Sequence, residues 1–142
     1  MVETSGVNYI AWWGACLSTL LAAVKVWELW RDRFRVDLGH NFTSDPETGN
    51  EIFVRNLSAK PIIIEYWEIH YVSGVWPFRK FVEFESPGPD ASDIQIAPHS
   101  SKAFSFNGAS HFSWSDKGLQ GRKIYMRLYI AGRRPLDKKV YG

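Results

Sequence analysis

The chain has 142 residues, enough for one compact domain and an additional segment. Hydrophobic residues make up 45% and charged residues 23%, which excludes a chain that is disordered over most of its length. The formal net charge of +2 is too small to indicate a nucleic-acid partner, and the single cysteine, Cys16, excludes an intramolecular disulfide.

The first predicted element is a helix within an apolar run. Residues 9–24, YIAWWGACLSTLLAAV, contain no charged side chain. As a helix they rise about 24 Å, and an extension to residue 30 gives about 33 Å, against a hydrocarbon core of about 30 Å. We therefore predict a short tail over residues 1–8 and a transmembrane helix with its juxtamembrane extension over residues 9–33. The predicted anchor residues are Tyr9, Trp12, Trp13, Leu17, Leu20, Leu21, Val24, Trp27 and Trp30.

Three alternatives compete with a membrane span. A cleaved secretory signal would place its positive charge before the apolar stretch, where this chain has no Lys or Arg. An interfacial helix would be apolar on one stripe, whereas residues 10–24 are apolar or small all round. A buried helix of a soluble protein is the third alternative. Length and composition favour the span.

Basic residues after the apolar run predict its orientation. Lys25, Arg31, Arg33 and Arg35 follow the run, and no basic side chain precedes it. The positive-inside rule then places the N-terminus outside and the C-terminal domain in the cytoplasm. Because the first predicted strand follows the helix almost directly, we expect that domain to be held close to the membrane face.

Residues 34–142 change from helical to alternating periodicity. Short strands are predicted at residues 34–38, 51–57, 62–72, 75–85 with an interruption at residue 77, 94–96, 104–106 and 123–130. Residues 107–121 indicate a Gly/Ser-rich loop, and the chain beyond Gly132 a basic C-terminal end. About seven strands without a second helical pattern predict an antiparallel β-sandwich.

Two stretches of this region carry a resemblance. The segment IFVRNLSAKPIIIEYWEIHY, in which an Asn ends one strand and a Pro begins the next, resembles the opening strands of immunoglobulin-like accessory domains. The segment IAPHSSKAFSF is similar to the crossing that such domains often show before a central strand. The resemblance implies an immunoglobulin-like sandwich and transfers no catalytic or binding residue. The Cys…Trp…Cys arrangement of antibody domains is absent.

Catalytic and metal-binding patterns are not apparent in the sequence. The four histidines, His40, His70, His99 and His111, fall in separate predicted elements without the spacing of paired ligands. Glu83 and Glu85 share a strand face, which an exposed edge explains. No nucleophile, phosphate-loop or dinucleotide motif is present. We therefore expect no enzyme activity, no catalytic residue, no metal site and no cofactor.

The last predicted strand offers a candidate interface. Tyr125, Arg127 and Tyr129 alternate with apolar residues and should stand in a row on one face. Tyr and Arg are favoured in protein interfaces, although a row of this kind can also pack only within a sheet. From residue 36 onward there are thirteen Lys and Arg against twelve Asp and Glu, so nucleic-acid binding is not expected.

Two functional hypotheses follow. The first is a single-pass, membrane-anchored interaction module, a small subunit or accessory protein of a membrane complex, that contacts the lipid bilayer and either a protein partner or a second copy. The second is a membrane-associated ligand sensor or effector whose helix oligomerises and perturbs the membrane. Small residues at Gly14, Ser18 and Ala22 would allow the close helix packing that this second hypothesis needs.

Overall fold

A computed structural model describes residues 6–142, with side chains described from residue 8 onward. The chain divides into two compact units, residues 1–33 and residues 34–142. The first contains helix α1, Gly6–Arg31. The helix therefore already includes the last residues of the predicted tail, and residues 1–5 of that tail lie outside the described part.

Helix α1 is apolar around its whole circumference. Ala and Leu, which have high helix propensity, recur along it, and no Pro interrupts it. The last helical hydrogen bonds run from the Asp32 amide to the Glu28 carbonyl, at 2.9 Å, and from the Arg33 amide to the Trp30 carbonyl, at 3.4 Å. The helix thus ends among the basic residues that predict its orientation.

The second unit consists of eight antiparallel strands in two sheets, a sandwich-like arrangement. The strands are β1 (Val36–Asn41), β2 (Asn50–Asn56), β3 (Ile62–Ser73), β4 (Lys80–Glu85), β5 (Ile94–Ile96), β6 (Ser100–Phe106), β7 (Lys123–Ile130) and β8 (Leu136–Tyr141). One sheet has the order β1-β2-β6. The other has the order β4-β3-β7-β8, and β5 pairs with the beginning of β3. A short helix α2, Asp116–Leu119, interrupts the loop before β7.

Buried side chains from both sheets form the core. Ile52 and Val54 of β2 and Ile124, Met126 and Leu128 of β7 are fully buried. Burial of each such side chain contributes about 1.5–3 kcal/mol. Between the sheets, the Trp67 ring of β3 lies edge-on to two phenylalanines of β6, with centroids 5.6 Å and 5.5 Å apart. Alternate residues of β3 and β7 therefore point away from this core, onto the outer face of the larger sheet.

The structure differs from the sequence prediction at five places, two of which are helix α2 within the predicted loop 107–121 and the start of β6 at Ser100 rather than at residue 104. It has eight strands rather than about seven, because the basic end beyond Gly132 continues into β8, which pairs with β7. Strand β4 begins at Lys80 rather than at residue 75, and the residues before it form the turn from β3. The strand predicted at residues 34–38 lies at Val36–Asn41.

Candidate functional site

The surface of α1 carries the predicted anchor residues, and all of them are exposed. Side-chain exposure is 73% at Tyr9, 70% at Trp13 and 64% at Leu20. The segment Asn8–Arg31 is long and apolar enough to cross a membrane by length and composition. Cys16 is a free, exposed thiol on this helix.

Charged residues near the end of α1 contact each other and the flanking tryptophans. Lys25 Nζ lies 2.8 Å from Glu28 Oε2, one helical turn away. The Arg31 guanidinium stacks over the Trp27 ring at 4.9 Å, and Arg33 lies over Trp30 at 5.3 Å. Such cation–π contacts keep basic groups beside indole rings, the combination that is favoured at a membrane–water boundary.

Tyr125, Arg127 and Tyr129 lie in a row on the outer face of the larger sheet, half-buried, while their neighbours in β7 face the core. The polar groups of Arg127 and Tyr129 bond within the chain. Arg127 donates two hydrogen bonds to the Asp137 carboxylate, at 2.6 Å and 3.0 Å, and the Tyr129 hydroxyl donates to Glu68 Oε1 at 3.2 Å. The bidentate pair raises the pKa of Arg127 above its usual range.

Glu68, His70 and Glu83 meet on the same outer face. Glu68 and His70 lie two residues apart on β3, and His70 is the register partner of Glu83 on β4. One nitrogen of His70 and one oxygen of each carboxylate lie within 4.8 Å of one another. His70 is 5% exposed, and its Nε2 lies 3.3 Å from Glu68 Oε2. The spacing of the histidines along the chain did not reveal this group, because His70 is its only histidine and Glu83 lies on a different strand.

The shared face of Glu68 and His70 was the signal that could have identified the pair. Residues two apart on a strand point the same way, so this spacing could have indicated that the carboxylate and the imidazole are neighbours. The third member depends on the pairing of β3 with β4, where the register shifts between Ile69 and His70. A register shift of this kind is set by tertiary packing and leaves no local sequence pattern.

The turn between β3 and β4 exposes large apolar side chains. Val75, Trp76 and Phe78 are 81%, 77% and 84% exposed. Two exposed basic residues, Arg79 and Lys80, follow them directly. We call residues 75–80 the hairpin tip. The sequence pattern predicted a strand over these residues and did not identify them as a surface.

The other histidines are separated from this group. His111 Nε2 lies 3.1 Å from the Thr43 carbonyl oxygen, and the Trp114 indole N–H donates to the same oxygen at 3.0 Å. His40 packs on Phe42, with ring centroids 4.8 Å apart. His99 is exposed in the turn before β6. Among the described residues, only His70 belongs to a group that could hold a metal ion.

Two further titratable groups are shifted by their surroundings. Burial raises the pKa of the Tyr71 phenol, which stacks on Phe84 at 4.0 Å, and the nearby charge of Arg122 opposes the shift. Hydrogen bonds from the Thr48 hydroxyl and from the Glu47 amide lower the pKa of Asp45 in the loop before β2. Tyr71 packs against the core, whereas Asp45 is exposed and its hydrogen bonds stay within one loop, so both groups have structural roles.

Comparison with known proteins gives little further information. No protein-family model matches the sequence, and no curated protein matches it significantly. Among solved structures, the sporulation control protein Spo0M from Bacillus subtilis is similar with a TM-score of 0.36 and 13% identity. That match covers 76% of this chain and 48% of Spo0M, so the chain spans about half the length of that protein. The chain is thus similar to part of Spo0M only in the course of its backbone, at a level that supports no conclusion about function.

Proposed function

We propose that the protein is a single-pass, membrane-anchored β-sandwich interaction module that serves as a small subunit or accessory protein of a membrane complex. The observation that carries the proposal is the surface of α1. Its large apolar side chains are exposed on every side, from 44% at Val24 to 79% at Ile10. Exposure of that much contiguous apolar surface to water is unfavourable, and a bilayer would remove it.

The dimensions and charges of α1 fit a bilayer. Its 26 residues rise about 39 Å, which exceeds the hydrocarbon core of about 30 Å and leaves room for tilt or for an interfacial turn. Lys25 and Glu28 lie near its C-terminal end and neutralise each other at 2.8 Å. Lys25 can also extend its side chain toward the headgroups, so neither charge needs to enter the centre of the bilayer.

Charge placed in the middle of α1 tests the proposal. The double variant Leu17→Asp/Leu21→Asp of the full chain should be extracted from membranes by alkaline carbonate, whereas the wild-type chain should stay in the pellet. Each Asp at the centre of a span costs about 2.5–3.5 kcal/mol. Leu57→Asp is the matched control, because Leu57 is an exposed apolar residue of the sandwich, at 45%. A wild-type chain that carbonate releases as readily as the double variant would refute the anchor.

The hairpin tip is the surface that we propose for a protein partner. Val75, Trp76 and Phe78 are far more exposed than the half-buried Tyr125 and Tyr129. Trp is the side chain most enriched at binding hot spots, and exposed apolar clusters of this kind mark interaction sites. The polar groups of Arg127 and Tyr129 in the row on β7 are already engaged within the chain, so that row is the weaker candidate.

The chemistry of the tip indicates what would bind it. Residues 74–82 contain Arg79 and Lys80 and no acidic side chain. A partner should therefore offer an apolar pocket bordered by carboxylates, so that its charges complement those of the tip.

The tip and Val36 lie at opposite ends of the sandwich. Val36 pairs with Asn56, which lies beside the start of β3, whereas the tip follows the end of β3. Twelve residues of β3 separate these ends by about 36 Å.

The strand order supports an immunoglobulin-like class for the sandwich. Numbered along the chain, strands 1, 2 and 6 form one sheet, and strands 3, 4, 7 and 8 the other. With β5 taken as strand D, this division corresponds to strands A, B and E against C, C′, F and G of the immunoglobulin fold. In this structure β5 pairs with β3, whereas strand D of that fold pairs within the A-B-E sheet. The class describes architecture and does not itself specify a partner.

A further inference from the structure

We propose that Glu68, His70 and Glu83 form a binding site for a divalent transition-metal ion of the Zn²⁺ type on the outer face of the larger sheet. The ion would take one ring nitrogen of His70 and one carboxylate oxygen from each glutamate. Imidazole nitrogen and carboxylate oxygen are both ligands of Zn²⁺, and three protein ligands leave a position for water. This inference is independent of the membrane anchor.

The burial of His70 is the first argument. The residue is 5% exposed although it lies on the outer face of the sheet, where Phe81 of β4 packs edge-on against its ring at 6.0 Å. Its Nδ1 has no hydrogen-bond partner, alone among the buried side-chain polar atoms of the described residues. Burial of the ring restricts the imidazole to one position beside Glu68, as a metal ligand requires, although an ion bound at Nε2 would leave Nδ1 without a partner.

The orientation of Glu68 is the second argument. Tyr129 donates a hydrogen bond from its hydroxyl to Oε1 of Glu68 at 3.2 Å, and Oε2 lies 3.3 Å from His70 Nε2. The side chain of Glu68 is 16% exposed. A carboxylate that is held by a neighbouring hydroxyl and directed at an imidazole resembles the supported ligands of metal sites. Tyr129 would then be a positioning residue.

The local charges are compatible with a cation. Glu68 and Glu83 supply two carboxylates, and Arg127 on β7 is the register partner of Glu68. Both hydrogen bonds that Arg127 makes to Asp137 direct its charge toward that carboxylate. Arg79 lies over the Tyr125 ring at 5.8 Å, and Lys139 is exposed.

Binding requires a small adjustment. Ligand atoms at about 2.0–2.2 Å from a tetrahedral ion lie about 3.4 Å apart, whereas the three atoms here are spread over as much as 4.8 Å. Glu83 is exposed on an edge strand and can supply most of the movement. Since Glu83 belongs to β4 and the other two ligands belong to β3, the ion would link the two strands that precede and follow the hairpin tip.

Titration of the full chain in detergent with ZnCl₂, followed by calorimetry, tests the site. We expect one saturable equivalent on the wild-type protein and a rise in its thermal unfolding midpoint. The Glu83→Gln variant should bind at least about tenfold more weakly and show no rise in the midpoint. Glu83 is exposed, so its amide replacement should fold; His70→Gln should give the same loss.

Two matched variants separate this site from adventitious binding. Glu85→Gln makes the same change on the same strand and should bind Zn²⁺ as the wild type does. His99→Gln removes an exposed histidine and should also have no effect. The proposal is overturned if the wild type shows no saturable equivalent, if Glu83→Gln binds as tightly as the wild type, or if His99→Gln abolishes binding.

Discussion

Asn56 connects the two sheets through one buried side-chain amide. Its Nδ2 donates to the carbonyl oxygens of Lys60, Ile96 and Ala97 at 2.8, 3.2 and 3.1 Å, and its Oδ1 accepts from the Ser58 amide at 3.0 Å. Asn56 is fully buried at the end of β2. One side chain thus fixes the turn into β3 and the end of β5, which belong to different parts of the sandwich.

Replacement of Asn56 by Ala should destabilise the sandwich by about 3 kcal/mol, because buried carbonyls would lose their donor. Urea unfolding followed by tryptophan fluorescence would measure this loss as a lower midpoint. Asn107→Ala is the control: Asn107 is exposed and makes no capping hydrogen bond with its side chain, so a change of at most about 0.5 kcal/mol is expected. Equal effects of the two substitutions would contradict the role of Asn56.

Tyr71 should make the stability of the sandwich depend on alkaline pH. Burial raises the pKa of its phenol, so the folded state favours the neutral form. The contribution is fully present below the pKa of an unfolded tyrosine, about 10, and is lost as the pH rises through the folded-state value. Tyr71→Phe should therefore lose less stability than the wild type as the pH rises above about 10, as measured by urea midpoints.

The same substitution has a cost at neutral pH. The Tyr71 hydroxyl donates to the Ser113 carbonyl oxygen at 3.2 Å, and loss of this partly exposed bond should cost about 1 kcal/mol or less. The comparison must therefore use the change of the urea midpoint with pH, and not the urea midpoint at a single pH. Tyr125→Phe keeps Tyr71 in place and should retain the alkaline slope of the wild type. If the stability of Tyr71→Phe falls with rising pH as steeply as that of the wild type, burial of Tyr71 does not cause the alkaline loss of stability.

At the scale of elements, strand β7 was predicted with its observed bounds and β8 was missed. In β7 the apolar side chains Ile124, Met126 and Leu128 alternate strictly with polar ones, which reflects one buried face. In β8, Leu136 and Val140 alternate in the same way, but two lysines and an aspartate make the segment resemble a solvated end. An edge strand needs little hydrophobic surface, so its pairing with β7 left only a weak signal.

The outer face of the larger sheet shows the same limit for the candidate site. The alternation in β7 was sufficient to place Tyr125, Arg127 and Tyr129 together. The neighbours of this row on β3 and β4 follow from strand order and from two register shifts in β3. Those shifts also explain why the long β-branched and aromatic run of β3 lacks regular alternation. The position of Glu83 beside Glu68 and His70 could therefore be identified only from the assembled sheet.

The β3–β4 hairpin should bind its protein partner through the apolar tip. A photo-crosslinking amino acid at Val75 of the full chain, in native membranes, should capture one identifiable protein. Trp76→Ser/Phe78→Ser should reduce the crosslinked yield at least about tenfold, because two exposed aromatic anchors are lost. Arg79→Glu/Lys80→Glu should also reduce it, since the partner's pocket is expected to have an acidic border.

The matched control is Arg127→Ala/Tyr129→Ala, which alters the half-buried row on β7 but avoids Tyr125, whose ring contacts Arg79 of the tip. We expect this variant to retain most of the crosslinked yield. Crosslinks that go only to lipid, or only to a second copy of the chain, would contradict a protein partner at the tip. A yield that depends on the row and not on the tip would move the interface to β7.

At the scale of the whole molecule, the charge asymmetry around α1 predicts which side of the membrane holds the sandwich. Lys25, Arg31, Arg33 and Arg35 lie at the C-terminal end of α1 and beyond it, and residues 1–8 contain no Lys or Arg. In bacterial cells the sandwich should therefore lie in the cytoplasm. A chain with the substitutions Cys16→Ala and Asn107→Cys carries its only thiol on the sandwich. That thiol should resist a membrane-impermeant maleimide in intact cells and react after permeabilisation.

Removal of the flanking charges should weaken this orientation. With Arg31, Arg33 and Arg35 changed to Gln in the same single-thiol chain, a fraction of the molecules should insert in reverse, and their introduced thiol should become labelled in intact cells. Lys102, Lys117 and Lys123 changed together to Gln lower the net charge equally but lie far from the helix in sequence, so the orientation should stay as in the wild type. If the single-thiol chain that keeps all its basic residues is labelled in intact cells, the sandwich lies outside. Basic residues near a span, and not the total charge of the chain, determine orientation, so only the first triple substitution should move the sandwich across the membrane.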